Sequence, residues 1–269
     1  MKNSPPGREL FRDYDEFGPV HVHEDGGRRI LSFGTPVEQS CVWLDDPAKL
    51  TYAYTQAMML ALLMVRDTPR IALLGLGAGS MVQCLLKHAP HCHVSAIERR
   101  RLVADVAQRF FGLPVTANLD IHIAEALDYL SATPESFDVL FADLYDANGM
   151  DESQTTDALL SLSHQRLADG GVAVFNLWNI DYVAAKKQTA NIELVYPYVA
   201  RLTVPGGNRL LFAFRDEPPH LIESSWVQDA QALALRMNIP LLRFARTLWA
   251  DNRELLASTG QRKRKSPSI

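Results

Sequence analysis

No run of apolar residues in this chain of 269 exceeds nine, Ala57–Val65, whereas a membrane-spanning helix needs about 20. Cysteine is scarce. Cys41, Cys84 and Cys92 are odd in number and show no Cys-x-x-Cys spacing, which argues against a disulfide scaffold or a cysteine-held zinc and for a reducing compartment. Neither sign of charge dominates. The 27 Lys+Arg and 31 Asp+Glu leave a net −4, so the overall field gives no reason to expect nucleic acid or an anionic membrane as partner. The first eighteen residues lack the apolar segment of a secretory signal, and a cytoplasmic protein is expected. Internal repeats and low-complexity linkers are missing too. What is present is globular in proportion, 47% hydrophobic and 22% charged, too apolar for a disordered chain.

Two regions and a tail are expected: a small β appendage over 1–47, an α/β domain over 48–256, and a basic, disordered tail over 257–269. Val20–Glu24 and Arg28–Phe33 alternate around Asp25-Gly26-Gly27, a hairpin pattern. Val37–Trp43 reads as a third strand and Ala48–Met64 as a helix. From Arg70, strands and helices alternate: Ile71–Leu74, Met81–His88, His93–Glu98, Leu102–Phe111, Asp120–Ala124, Ala126–Leu130, Phe137–Asp143, Thr155–Leu167 and Gly171–Leu177. Continuous apolar strands such as Val139–Ala142 suit a parallel sheet covered on both faces. After a helix over Asp181–Asn191, Glu193–Val204 and Asn208–Arg215 read as a hairpin that would add antiparallel edge strands. Ile222–Leu256 is helical, with a break near Ile239-Pro240.

Gly75-Leu76-Gly77-Ala78-Gly79-Ser80 stands directly after a strand and before a helix. Glycines at 75, 77 and 79 let the backbone approach a ligand that side chains would block. Glu98 ends the next strand, where a carboxylate can accept hydrogen bonds from both ribose hydroxyls. Glu125-Ala126 ends the third strand, where an adenine edge would lie. The alternative is a tight turn whose glycines serve only packing, with Glu98 solvated. A dinucleotide loop needs a third glycine one residue later, where this chain has Ser80, so the loop better suits an adenosine without pyrophosphate, such as S-adenosylmethionine or its decarboxylated form.

Asp143-Leu144-Tyr145-Asp146 closes the fourth strand at the carboxyl edge of the sheet, where open α/β folds bind ligands. Two carboxylates and a phenol there can hold an ammonium and accept the proton an amine must lose to become a nucleophile. The alternative makes Asp143 a cap and Asp146 a turn residue. Asp138, at the opposite end of that strand, is structural.

These residues together resemble the spermidine/spermine synthases, the polyamine aminopropyltransferases, with this chain as a divergent spermidine-synthase-like member. The resemblance runs from Val20 to Arg215. It rests on the hairpin followed by Val37-Glu38-Gln39-Ser40, the Pro69–Ser80 strand and loop, Ala96-Ile97-Glu98 leading to Phe110-Phe111-Gly112-Leu113-Pro114, Phe137-Asp138-Val139 leading to Asp143, and Leu167 with Gly170-Gly171. The resemblance implies a Rossmann-like, seven-stranded sheet of the class I methyltransferase type. It implies transfer of an aminopropyl group from decarboxylated S-adenosylmethionine to an amine, with methylthioadenosine leaving, and a homodimer. No cofactor would be tightly bound, the nucleoside being a co-substrate. Asp143 would be the base, Asp146, Tyr145 and Tyr54 would contact the amine, Gln39 the nucleoside end, Glu98 the ribose, and Glu125 and Ala126 the adenine. The chain departs from the family at Ala78, where an acid usually holds the aminopropyl ammonium, at Thr55-Gln56, where His-Glu is usual, at Ala147 in place of a proline, and at Glu125 in place of aspartate. Each lost charge-assisted hydrogen bond is worth about 1.5–3 kcal/mol, or about ten- to a hundredfold in affinity.

Ala78 therefore keeps two other functions in view: an S-adenosylmethionine-dependent methyltransferase, and a non-catalytic nucleoside- or polyamine-binding protein on the same fold. No metal centre is expected. His21 and His23 share one strand face, read as solvated and lacking a third ligand; His88, His91 and His93 sit in a loop far from the carboxyl edge. Asn176 and Trp178 are candidates to line the pocket, and Tyr196, Tyr198 and Trp249 for the core.

Overall fold

The structure, a computed structural model, describes residues 7–66, 69–178 and 182–257. Four antiparallel strands come first: β1 (Arg8–Asp15), β2 (Gly18–Asp25), β3 (Arg28–Ser32) and β4 (Glu38–Trp43). Asp25 pairs with Arg28 around Gly26 and Gly27, both at positive φ, the backbone that a two-residue hairpin turn needs. β1 is missing from the sequence reading because Arg8–Asp15 carries five charges in eight residues, a composition that marks a protected sheet edge rather than a core strand.

The second sheet has seven strands, as the resemblance implies. β5 (Arg70–Leu74), β6 (His93–Glu98), β7 (Leu119–Ile123), β8 (Phe137–Ala142) and β11 (Leu167–Leu177) run parallel, and β13 (Arg209–Phe214) and β12 (Tyr198–Thr203) close one edge antiparallel. The order is β12-β13-β11-β8-β5-β6-β7. A two-stranded ribbon, β9 (Tyr145–Asp146) and β10 (Gly149–Met150), follows β8. Successive residues of β5 enter opposite cores: Ile71 and Leu73 pack with α2 (Ser80–His88), α7 (Glu223–Met237) and α8 (Leu241–Asp251), whereas Ala72 and Leu74 pack with α4 (Ala126–Ala132) and α5 (Asp157–Arg166). A strand buried on both faces reads as a continuous apolar run for this reason.

The structure corrects two expected elements. The expected helix Ala48–Met64 is α1 (Ala53–Met58) continued by a 3-10 turn over Met59–Leu63. The segment Ala57–Ala61 is fully buried, so its all-apolar sequence carries no period that marks where the α-helix ends. The strand expected from Glu193 begins at Tyr198, because α6 (Tyr182–Val195) takes the preceding residues. Pro197 disfavours helical backbone at Tyr196 and ends it. Asp181, the first residue of an expected helix, and residues 258–269 of the tail expected over 257–269 lie outside the described residues; Ala257 itself pairs with Leu221. Among the described residues no helix is long and apolar enough to cross a membrane. The three cysteines are buried and unpaired.

Val20, Val22, Leu31, Phe33 and Val42 of the N-terminal sheet pack on Val103, Val106 and Phe111 of α3 (Arg101–Phe111) and on Ala78 of the glycine loop. Arg100 locks this contact. It donates to both carboxylate oxygens of Asp15 at 2.9 and 2.7 Å and to the Gly18 carbonyl at 2.8 Å. The guanidinium also lies 4.5 Å from the centroid of the Phe33 ring. The first sheet thereby becomes a wall standing over the carboxyl edge of the second.

Candidate active site

A cavity of about 440 Å³ opens at that edge. It lies over β5, between β6 and β8, where the chain order of the sheet reverses. Such switch points leave a crevice because the connections depart to opposite sides.

The glycine loop forms one side. Gly75 has φ +96°, and a Cβ there would lie 2.3 Å from the carbonyl oxygen of Asp143. A Cβ at Gly79, φ +74°, would meet Leu113 at 2.8 Å. Packing within the protein alone thus requires glycine at 75 and 79. Gly75 is required by the strand end that bears Asp143, and Gly79 by Leu113, which gives the Phe110–Pro114 motif its packing role. Ala78 is fully buried in the apolar cluster beneath the first sheet and does not line the cavity. An acid there would need a different packing.

Glu98 is buried at the end of β6. Its Oε1 accepts from the Arg100 amide at 2.9 Å and its Oε2 from the Leu76 amide at 3.3 Å. Desolvation raises its pKa, and the amides of Arg100, Leu76 and Gly77 oppose that rise. The two amides hold the carboxylate rigidly at the cavity wall, with a lone pair on each oxygen left for a donor. Glu125, exposed, precedes α4, and Ala126 begins it; both line the same end. Glu98→Gln replaces one accepting oxygen with a donor facing a backbone amide. Nucleoside affinity should fall about ten- to a hundredfold, read by calorimetry with methylthioadenosine.

Asp143 stands opposite. Its Oδ1 accepts from Asn176 Nδ2 at 2.7 Å, and the Tyr54 hydroxyl neighbours it in the same cavity. Asn176 Oδ1 accepts from Asn208 at 2.9 Å, and the Tyr145 hydroxyl donates to the Asn176 carbonyl at 3.3 Å. Desolvation pushes the Asp143 carboxyl up to about 6, against the pull of Asn176 and Tyr54. The Tyr54 and Tyr145 hydroxyls are pushed up, first by burial and then by the Asp143 charge. They therefore stay protonated and can donate. No salt bridge to Asp143 exists among the described residues.

Of the residues singled out in the sequence, Gln39, Tyr54, Gly75, Gly77, Glu98, Glu125, Ala126, Asp143 and Tyr145 line the cavity; Gly79 and Asp146 do not. The Asp146 carboxylate accepts from the Asn148 amide at 2.7 Å and lies 4.0 Å from Arg99. Its main-chain carbonyl accepts from Gln39 at 3.2 Å. Asn176 and Trp178 line the cavity as expected. Glu38, Arg99, Asp151 and Asn208 also line it and escape sequence reasoning. Glu38 takes the guanidinium fork of Arg28 at 3.0 and 3.1 Å and the Tyr52 hydroxyl at 2.9 Å; its place beside Gln39 was the available signal. Arg99 pairs with Asp151 at 3.1 Å. Thr55 and Gln56 turn their polar atoms onto the carbonyls of Tyr52 and Leu50.

A polyamine aminopropyltransferase of Chromobacterium violaceum is 29% identical over 256 residues, covering 93% of this chain and 97% of the relative. The chain is a divergent relative of the polyamine aminopropyltransferases. In structure it is similar to a probable spermidine synthase of Corynebacterium glutamicum, with TM-score 0.71 at 19% identity, covering 98% of this chain and all of that one. Human methyltransferase-like protein 13 in complex with SAH gives TM-score 0.63 at 22% identity, covering 71% of this chain and 94% of that one. No family model matches the chain. Both structural likenesses carry the seven-stranded α/β fold.

Proposed function

We propose that the protein is a transferase that moves an aminopropyl group from decarboxylated S-adenosylmethionine to an amine, with Asp143 as the base. The observation that carries this is the Asp143 carboxylate: crowded by protein, held by Asn176, and without a protein cation beside it among the described residues, across the cavity from Glu98. A desolvated carboxylate without a counterion is stabilised by an ammonium, and the substrate amine supplies one. In the transfer, the amine gives its proton to Asp143 and attacks the propyl carbon beside sulfur. A C–N bond forms, the C–S bond breaks with its electron pair passing to sulfur, and neutral methylthioadenosine leaves. The glycine loop, Glu98, Glu125 and Ala126 hold the nucleoside, and Tyr54 and Tyr145 orient the amine by hydrogen bonds. Asp146 acts through the ribbon, its carbonyl fixing Gln39, and not as a direct amine contact. The N-terminal sheet over 1–47 serves as the cavity wall of a catalytic domain over 48–256. A homodimer in the cytoplasm completes the proposal.

A methyltransferase acting on the same nucleoside class is the second reading. Ala78, buried in the loop, motivates it, because without an acid there the loop loses a reason to prefer the decarboxylated donor. Methylthioadenosine release from the decarboxylated donor with putrescine, beside calorimetry with both donors, separates the two. The proposal expects turnover with a diamine and tighter binding of the decarboxylated form. Preferred binding of the intact form without methylthioadenosine release would overturn it.

A further inference from the structure

The alternation of His21 and His23 predicts a solvated strand face, and the structure overturns this. Only 7% of His21 and 2% of His23 is exposed. Val20 and Val22 point into the cluster beneath the sheet, so the two imidazoles occupy the opposite face. None of their four ring nitrogens has a hydrogen-bond partner among the described residues. Buried imidazoles normally have one, since an unpaired buried polar atom costs about 1–3 kcal/mol. The third group that the sequence does not reveal is Glu9 on β1, in register with His23 across the ladder, beside a bulge between Glu9 and Phe11. One ligand atom from each of Glu9, His21 and His23 lies within 4.8 Å of the others.

We propose that Glu9, His21 and His23 bind a divalent transition-metal ion such as Zn²⁺. Two imidazoles and a carboxylate form a ligand set suited to this class of ion, with a position left for water. Tetrahedral Zn²⁺ places its ligand atoms about 3.3 Å apart, so an ion would draw the three ligand atoms together by at most about 1.5 Å from their present separation of up to 4.8 Å. Arg12 is the built-in competitor. Its guanidinium lies 2.7 Å from the Glu9 carboxylate, and 49% of its side chain is exposed, so it can move into solvent when an ion takes its place. None of the three ligands lines the catalytic cavity, which separates this site from the proposed transfer.

The test uses the full chain, stripped with chelator, titrated with Zn²⁺ by calorimetry and thermal melting, and with Co²⁺ by visible absorption. One ion per chain, a raised melting temperature and a tetrahedral Co²⁺ spectrum are expected. Glu9→Ala should weaken the Zn²⁺ Kd at least about tenfold, and His23→Asn should abolish binding. Arg12→Ala should tighten it, a sign that a purely structural ion pair would not give. Glu9 and Arg12 are exposed, so their variants decide the matter even if the histidine variant fails to fold. Absence of Zn²⁺ binding, or an affinity unchanged in Glu9→Ala and Arg12→Ala, would overturn the site.

Discussion

Asp143→Asn should lower turnover about 10²–10⁴-fold, the usual contribution of a positioned general base, and at the same time raise the melting temperature above pH 6. The two effects share one cause. The Asp143 carboxyl titrates at about 6 rather than 3.8, so the folded state holds its proton more tightly than the unfolded chain does. Below pH 3.8 the group is neutral in both states and costs nothing. Between 3.8 and 6 the unfolded chain ionises first, and stability declines. Above 6 the penalty is complete, and 2.2 pH units correspond to about 3 kcal/mol. That figure is an upper bound, because one edge of the carboxylate faces the cavity. Asparagine retains an acceptor for Asn176 and removes the charge. The stabilisation should therefore be large at pH 8 and small at pH 4. Activity of the unmodified protein should rise with pH through about 6, as the base form accumulates. A variant that retains turnover, or loses it together with stability at pH 8, would contradict the assigned role.

Arg100→Ala should destabilise the fold by about 3–5 kcal/mol, the cost of leaving one member of a buried ion pair uncompensated. Asp15 and Arg100 are 13% and 5% exposed, so water cannot replace the lost fork. The guanidinium also covers Phe33 and satisfies the Gly18 carbonyl, contacts that an alanine leaves open. For a chain of this size the loss corresponds to roughly 10 °C in melting temperature. Nucleoside binding should weaken as well, because the sheet that Arg100 holds contributes Phe33, Glu38, Gln39 and Ser40 to the cavity. Arg100→Lys restores the charge but not the planar fork and should fall between the two. Unchanged melting in Arg100→Ala would mean that the apolar cluster alone docks the sheet.

Much of this was legible locally. Glycine spacing after a short apolar strand, an acid at the tip of the next strand and another at the end of the fourth are constraints that a parallel sheet imposes on neighbouring residues. They placed Gly75, Glu98 and Asp143 at one edge before any contact was known. Charge on β1 hid a strand, and the all-apolar Ala57–Ala61 segment hid a turn, because edge protection and complete burial both erase the periodicity that identifies elements.

The sequence by itself determined the alternating α/β architecture, the glycine loop between strand and helix, and the acidic strand ends. Only the tertiary structure decided the partners: that Gly75 yields to the Asp143 carbonyl, that Asp146 turns toward Arg99, that Ala78 lies under the first sheet, and that Glu9 meets two buried histidines. Local pattern records which face a residue takes on its own element. Which distant element covers that face depends on packing across more than sixty residues, as between Gly75 and Asp143, and no short-range period encodes it.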